Sequence, residues 1–180
     1  MSISKAGIHF QKRPLPGELG EKERETGKRY LRRFITLNGI SIAFLMNDLL
    51  ILYGIRNGMS DPQLALLASF MHLTMPFLLV GKLIIPRIGL ARTWGDAWFM
   101  RYLSGSIMIA APFLAGRFPQ SVVSATVLLG AFGFALFRSV GIVANSPLRG
   151  EIPTYEERGS FISGNWTRSQ STYFLSVAFV

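Results

Sequence analysis

VVSATVLLGAFGFALFRSVGIVA, residues 122–144, decides how this chain folds. Its 23 residues carry a single charge, Arg138. A helix rises ~1.5 Å per residue, so a stretch of this length is long enough to cross the ~30 Å hydrocarbon core of a bilayer. Three stretches of the same kind precede it, at 34–55, 64–85 and 97–116, each closed by a short polar or basic turn. A soluble domain rarely needs even one. Four of them predict an all-α, polytopic transmembrane helix bundle whose solvent is lipid.

Composition agrees. The hydrophobic fraction of 49% and mean hydropathy of +0.34 are averaged over a very polar first third, so the remainder is more apolar still. The chain has no cysteine, which excludes disulfides and thiolate metal sites. Its net charge of +9 would suggest nucleic acid in a soluble protein. Here the basic residues alternate between the two sides of the spans instead of forming one face, so no nucleic-acid partner is expected. Nine lie before the first span, from Lys5 to Arg33. The connections then carry Arg56; Lys82, Arg87 and Arg92; Arg117; and Arg149 and Arg158. Fourteen charges on one side against two on the other predict a cytoplasmic N-terminus in the cell membrane, by the positive-inside rule.

Residues 1–33 read as a basic cytoplasmic tail and 34–180 as the transmembrane bundle. Pro14, Pro16, Gly7, Gly17 and Gly20 oppose a continuous helix at the start of the tail. From Glu21 to Arg33 acids and bases alternate, which fits either a helix held on the surface by anionic lipid or a solvated lead-in that fixes topology. A cleaved signal peptide is not expected, because the apolar run that follows is too long and no small-residue cleavage site ends it.

The connections at 56–62 and 116–120 are turn sequences, with Ser60 or Asp61 suited to cap the second helix and Pro62 to its first turn. Such short links predict antiparallel packing of sequential neighbours. Small residues in the third and fourth spans, among them Ser104, Gly105, Gly130 and Gly133, allow close backbone approach. Residues 161–180 open with polar Ser163, Asn165, Thr167, Arg168 and Gln170 and turn apolar only at Tyr173. A fifth helix that is cut short is expected there, so that the chain is part of a longer protein.

The loop after the second span, Gly81-Lys82-Leu83-Ile84-Ile85-Pro86-Arg87-Ile88-Gly89, resembles the motif Gly-x-Leu-x-Asp-Arg-x-Gly-Arg-Arg of the major facilitator superfamily. Gly81 and Leu83 match its front. Arg87, Gly89 and Arg92 match its back with one residue inserted, and Ile85 and Pro86 stand where the motif has aspartate. Arg138 and Gly141 approach the family's fourth-helix arginine–glycine pair, at a spacing of three instead of four. The stretch from Glu151 to Arg158 and Gly159 resembles its loop between helices four and five. The likeness covers about residues 30–180. It implies the N-terminal half of a twelve-helix transporter, with two six-helix halves around a central cavity and the C-terminal half missing from this chain.

The residues that carry chemistry in lipid are the ionisable ones inside spans. Asp48 lies about 21 Å along the first span from Phe34, slightly beyond the midplane. Ser41 and Asn38 fall with it inside an arc of about 80°, a polar stripe suited to line a cavity. Asp48 then couples a proton, contacts a polar or cationic substrate, or hydrogen-bonds a neighbouring helix. Arg138, about 9 Å from the inner end of span four, binds an anionic group, ties helices through Asp96 or Glu151, or snorkels. Arg101 reads as snorkelling from nearer the inner end, and His72 as a packed, neutral residue. No metal-ligand spacing, nucleotide fingerprint or catalytic constellation is present, so neither an enzyme nor a cofactor is expected. Two functions stay open: ion-driven secondary transport of a small solute by alternating access, or a polytopic membrane protein without a transport role.

Overall fold

The computed structural model describes residues 19–45 and 48–179, with Asp48 described by its backbone alone. Every regular element among them is helical. The order is α1 Glu21–Leu45, α2 Asp48–Arg56, α3 Asp61–Leu73, a 3-10 turn Met75–Phe77, α4 Leu78–Ile88, α5 Leu90–Ile107, a second 3-10 turn Met108–Ala110, α6 Ala111–Leu114, α7 Gln120–Glu151 and α8 Arg158–Ala178. The first part of the tail, with its prolines, lies outside the described residues.

Local chemistry explains the boundaries. Ser60 and Gln63 form a capping box at the start of α3, in which the Ser60 N–H donates to Gln63 Oε1 at 2.9 Å, and Pro62 occupies the first turn. At the other end, Gly89 has φ +93 and separates α4 from α5, a conformation that only glycine adopts without strain. Pro76 converts one turn of the second stretch to 3-10 geometry. The neighbouring Thr74 is fully buried there. Its hydroxyl bonds to the Phe70 carbonyl at 2.8 Å and lies 3.1 Å from Ser139 Oγ on α7, which re-satisfies the interrupted ladder.

By length and composition, two helices are fit to cross a membrane: Asp61–Ile88 and Gln120–Glu151. The pair α1 and α2, bent by 43° at its break, makes a third if read as one span. This revises the expectation of four complete spans and a fifth. The stretch at 97–116 is helical, but Arg92, Asp96, Arg101 and a run of serine and glycine lower the hydropathy of its helix, and α8 is polar over its first half. The surface also carries large apolar side chains, including Leu83 at 71% exposure and Phe113 at 69%. Such a surface is foreign to water.

Helix α7 is the centre of the molecule and packs on α3, α4 and α5. The approach is close because small residues line it. A Cβ on Gly81 would stand 2.2 Å from the Val140 carbonyl, and one on Gly133 2.7 Å from Ser104. Leu67, Phe70, Met108, Val123, Val127 and Ala131 fill this core. Helices α1 and α8 form a second pair. They meet at Gly39, where a Cβ would lie 2.8 Å from the Ser169 carbonyl, and at the cluster of Leu31, Ile35 and Phe161.

The two ends are tied differently. Gln120 donates to the Asn57 carbonyl and to Ser124 Oγ, which joins the α2–α3 turn to the start of α7. At the opposite end α1 runs unbroken from Glu21 through Arg33 into the apolar stretch. Its first turns dock on the α7–α8 link: Arg24 Nη1 donates to the Glu151 and Ile152 carbonyls at 3.3 and 3.2 Å, and Lys28 Nζ stands 2.6 Å from Glu157 Oε2.

Candidate polar site in the bundle

Arg101, on α5, is fully buried. Its Nη1 donates to Asn38 Oδ1 at 2.9 Å, and the Tyr102 hydroxyl donates to the same oxygen at 3.3 Å. The guanidinium carbon lies 4.1 Å from the Phe134 ring centre, 4.3 Å from that of Trp98 and 5.4 Å from that of Tyr102. Three aromatic faces thus hold one cation, an arrangement worth more the less water reaches it. Sequence order builds the cage. Trp98 and Tyr102 flank Arg101 within a turn of α5, and Phe134 enters from α7 because Gly105 leaves it room, its absent Cβ being only 3.1 Å from that ring.

The helices that carry this cage also bury unmet hydrogen-bonding groups, as does α8. Ser41 Oγ, Trp98 Nε1 and Asn165 Nδ2 are buried and have no hydrogen-bond partner among the described residues. Ser41 follows Asn38 by one turn of α1. Asn165 is 3% exposed and lies on α8 between Phe161, which packs on Ile35, and Ser169, which packs on Gly39. It therefore stands level with Asn38. Buried polar groups without partners cost free energy, and in native proteins they point to water or a ligand.

The structure brings together only part of the expected set. Asn38 bonds Arg101, and the Ser41 hydroxyl is buried one turn further along α1. Asp48 begins α2, and its side chain lies outside the described residues. Arg138 is half-buried on α7, one turn beyond Phe134, the ring that lies against the Arg101 guanidinium. It forms no ion pair with a described residue. Neither tie expected for it is made: Asp96 lies 3.6 Å from Arg92 at the surface, and the Glu151 carbonyl accepts from Arg24. His72 is exposed instead of packed.

Of the loop residues, Gly81 is the contact between α4 and α7, Leu83 and Arg87 are exposed, and Gly89 makes the turn. Arg158 Nη2 donates to the Gly150 carbonyl at 2.7 Å, and Gly159 has open space beside it.

Arg101 is the residue that sequence reasoning misplaced. The apolar stretch begins only at Ala97, whereas the helix begins at Leu90 and continues, through a 3-10 turn, to Leu114, which puts Arg101 near its middle. The aromatic flanks Trp98 and Tyr102 were the available signal.

The chain matches no protein-family model, no curated protein and no solved structure. Fold and site define a class only: an all-helical protein with two or three helices fit to cross a membrane and a caged arginine among them.

Proposed function

We propose that this chain is the N-terminal half of a secondary active transporter of the major facilitator type, set in the cell membrane with its N-terminus in the cytoplasm. It moves a small solute by alternating access, driven by an ion gradient. The observation that carries this reading is the Asn38–Arg101 cage, a cation and unmet polar groups placed among apolar helices. Ionisable groups are costly at membrane depth and are kept there for pathways and coupling. The polar α5 and α8 fit the same scheme, since helices that line a cavity need less apolar surface than helices wrapped by lipid. On this reading α5 and α8 pack beside the apolar helices, and Asn38, Ser41, Asp48 and Arg138 line the solute path.

Asp48 is the coupling carboxylate in this scheme, because it ionises and exchanges a proton only where water reaches it. The test is proton flux into reconstituted vesicles when anionic, neutral and cationic solutes are applied in turn. One class should move protons. Asp48→Asn should abolish accumulation against a gradient while leaving exchange measurable; weakened binding itself would make Asp48 a substrate contact instead. Absence of solute-dependent flux in every class would favour a membrane protein without a transport role.

A further inference from the structure

Helices α1 and α8 leave a groove of about 420 Å³ between them, lined by Arg32, Arg33 and Thr36 on one side and Thr167, Arg168, Ser171 and Thr172 on the other. Leu175 adds an apolar side chain to the α8 wall. The groove is distinct from the Arg101 cage, and none of its residues belongs to that cluster. No carboxylate lines it. Neither helix carries an aspartate or glutamate over residues 26–45 or 158–178, so three guanidiniums share the groove without a local counter-charge. None of the three forms an ion pair with a described residue. The close contact at Gly39 and the placement of the Arg32 guanidinium 5.8 Å from the Phe161 ring centre hold the two walls in register.

The donor set says what fits. Thr36, Thr167 and Thr172 each donate their hydroxyl to a carbonyl one turn back in their own helix. The donors left to a ligand are the Ser171 hydroxyl and the guanidiniums, whose planar forks match oxyanions with several oxygens, and the threonine oxygens remain as acceptors for a hydroxyl. A carboxylate would engage one fork, whereas a phosphate can engage two or three. The volume exceeds that of phosphate alone and leaves room for a small hydroxylated group. Arg32 and Arg33 directly precede the apolar stretch that begins at Phe34, where a polar head would meet hydrocarbon.

We propose that the α1–α8 groove is a phosphate-binding site that takes the phosphate of a glycerol-type headgroup or of a soluble organic phosphate. The site stands on the groove itself and does not depend on the chain being a transporter.

Two arms separate the sources. In the first, the purified protein in nanodiscs of mixed phosphatidylcholine and phosphatidylglycerol is weighed by native mass spectrometry to count retained phosphatidylglycerol. In the second, glycerol 3-phosphate is titrated calorimetrically into the protein in neutral detergent. Saturable binding is expected in at least one arm, and the arm that shows it names the source. Arg168→Gln should weaken it about tenfold, the loss expected for one charged hydrogen bond. The combined variant Arg32→Gln, Arg33→Gln, Arg168→Gln should abolish it, while Arg117→Gln, elsewhere on the chain, should bind as the wild type does. The helical circular-dichroism signal checks folding, and should the combined variant not fold, the result for Arg168→Gln decides. No saturable binding of either probe, or an Arg168→Gln affinity within about threefold of wild type, would overturn the proposal.

Discussion

Asn38 and Arg101 are 63 residues apart in sequence, yet the geometry of the interior turns on the bond between them. A buried guanidinium that loses an acceptor bears a desolvation cost of about 1–3 kcal/mol. Asn38→Leu should therefore lower the thermal unfolding midpoint of the detergent-solubilised protein, and an unchanged midpoint would show that this bond contributes little. A second residue-scale expectation concerns close approach. Gly81→Ala sets a methyl against the Val140 carbonyl and should destabilise by about 1–3 kcal/mol, an overpacking cost. Gly95→Ala meets open space within a helix and should be neutral or stabilising by up to about 1 kcal/mol. Equal effects in the same melting assay would contradict the packing described for α4 and α7. The sequence made Asn38 and Ser41 legible because their helical spacing puts them on one face. It hid the burial of Arg101, because the aromatic ring that completes its cage, Phe134, comes from another helix.

At the scale of elements, the docking of α1 on the α7–α8 link is electrostatic. The Lys28 ammonium, with help from Thr154, holds the Glu157 carboxyl below its usual 4.5, and the Glu157 and Glu25 carboxylates push Lys28 above its usual 10.5. Glu157 thus contributes above its unfolded value, and that contribution is lost as pH falls through the lowered one. Lys28 contributes below 10.5, and its share is lost as pH rises through the raised value. The dock should be insensitive to pH near neutrality and loosen in acid. Spin labels at exposed Lys22 and Glu156 should report a narrow distance distribution at pH 7 that broadens in acid, once pH falls through the lowered Glu157 value, and in Glu157→Gln. A distribution unchanged in both would contradict the ion pair. Hydropathy found the apolar middles of α7 and of the α3–α4 pair, but the helices run further: α1 begins at Glu21 and α7 continues through Pro147 to Glu151. An apolar count registers lipid contact, whereas a helix continues wherever its neighbours satisfy it, and here Arg24, Lys28 and Arg158 do so.

For the whole molecule, the charge count makes a prediction about orientation. Ser121 and Tyr155 are exposed at opposite ends of the bundle. Ser121→Cys should react with an impermeant thiol reagent on intact cells and Tyr155→Cys only after permeabilisation; the reverse would mean that the positive-inside count misleads. Alternating access makes a stronger demand, that water reach the buried cage from each side in turn. Ser41 is the position to ask, because its hydroxyl is buried beside Asn38 and the chain has no other cysteine to react. Ser41→Cys in vesicles of known sidedness should be labelled by a small impermeant thiol reagent from either face, at rates that shift in opposite directions when an ion gradient is imposed. Labelling from neither face, or from one face at a rate indifferent to the gradient, would contradict a transport path through this bundle.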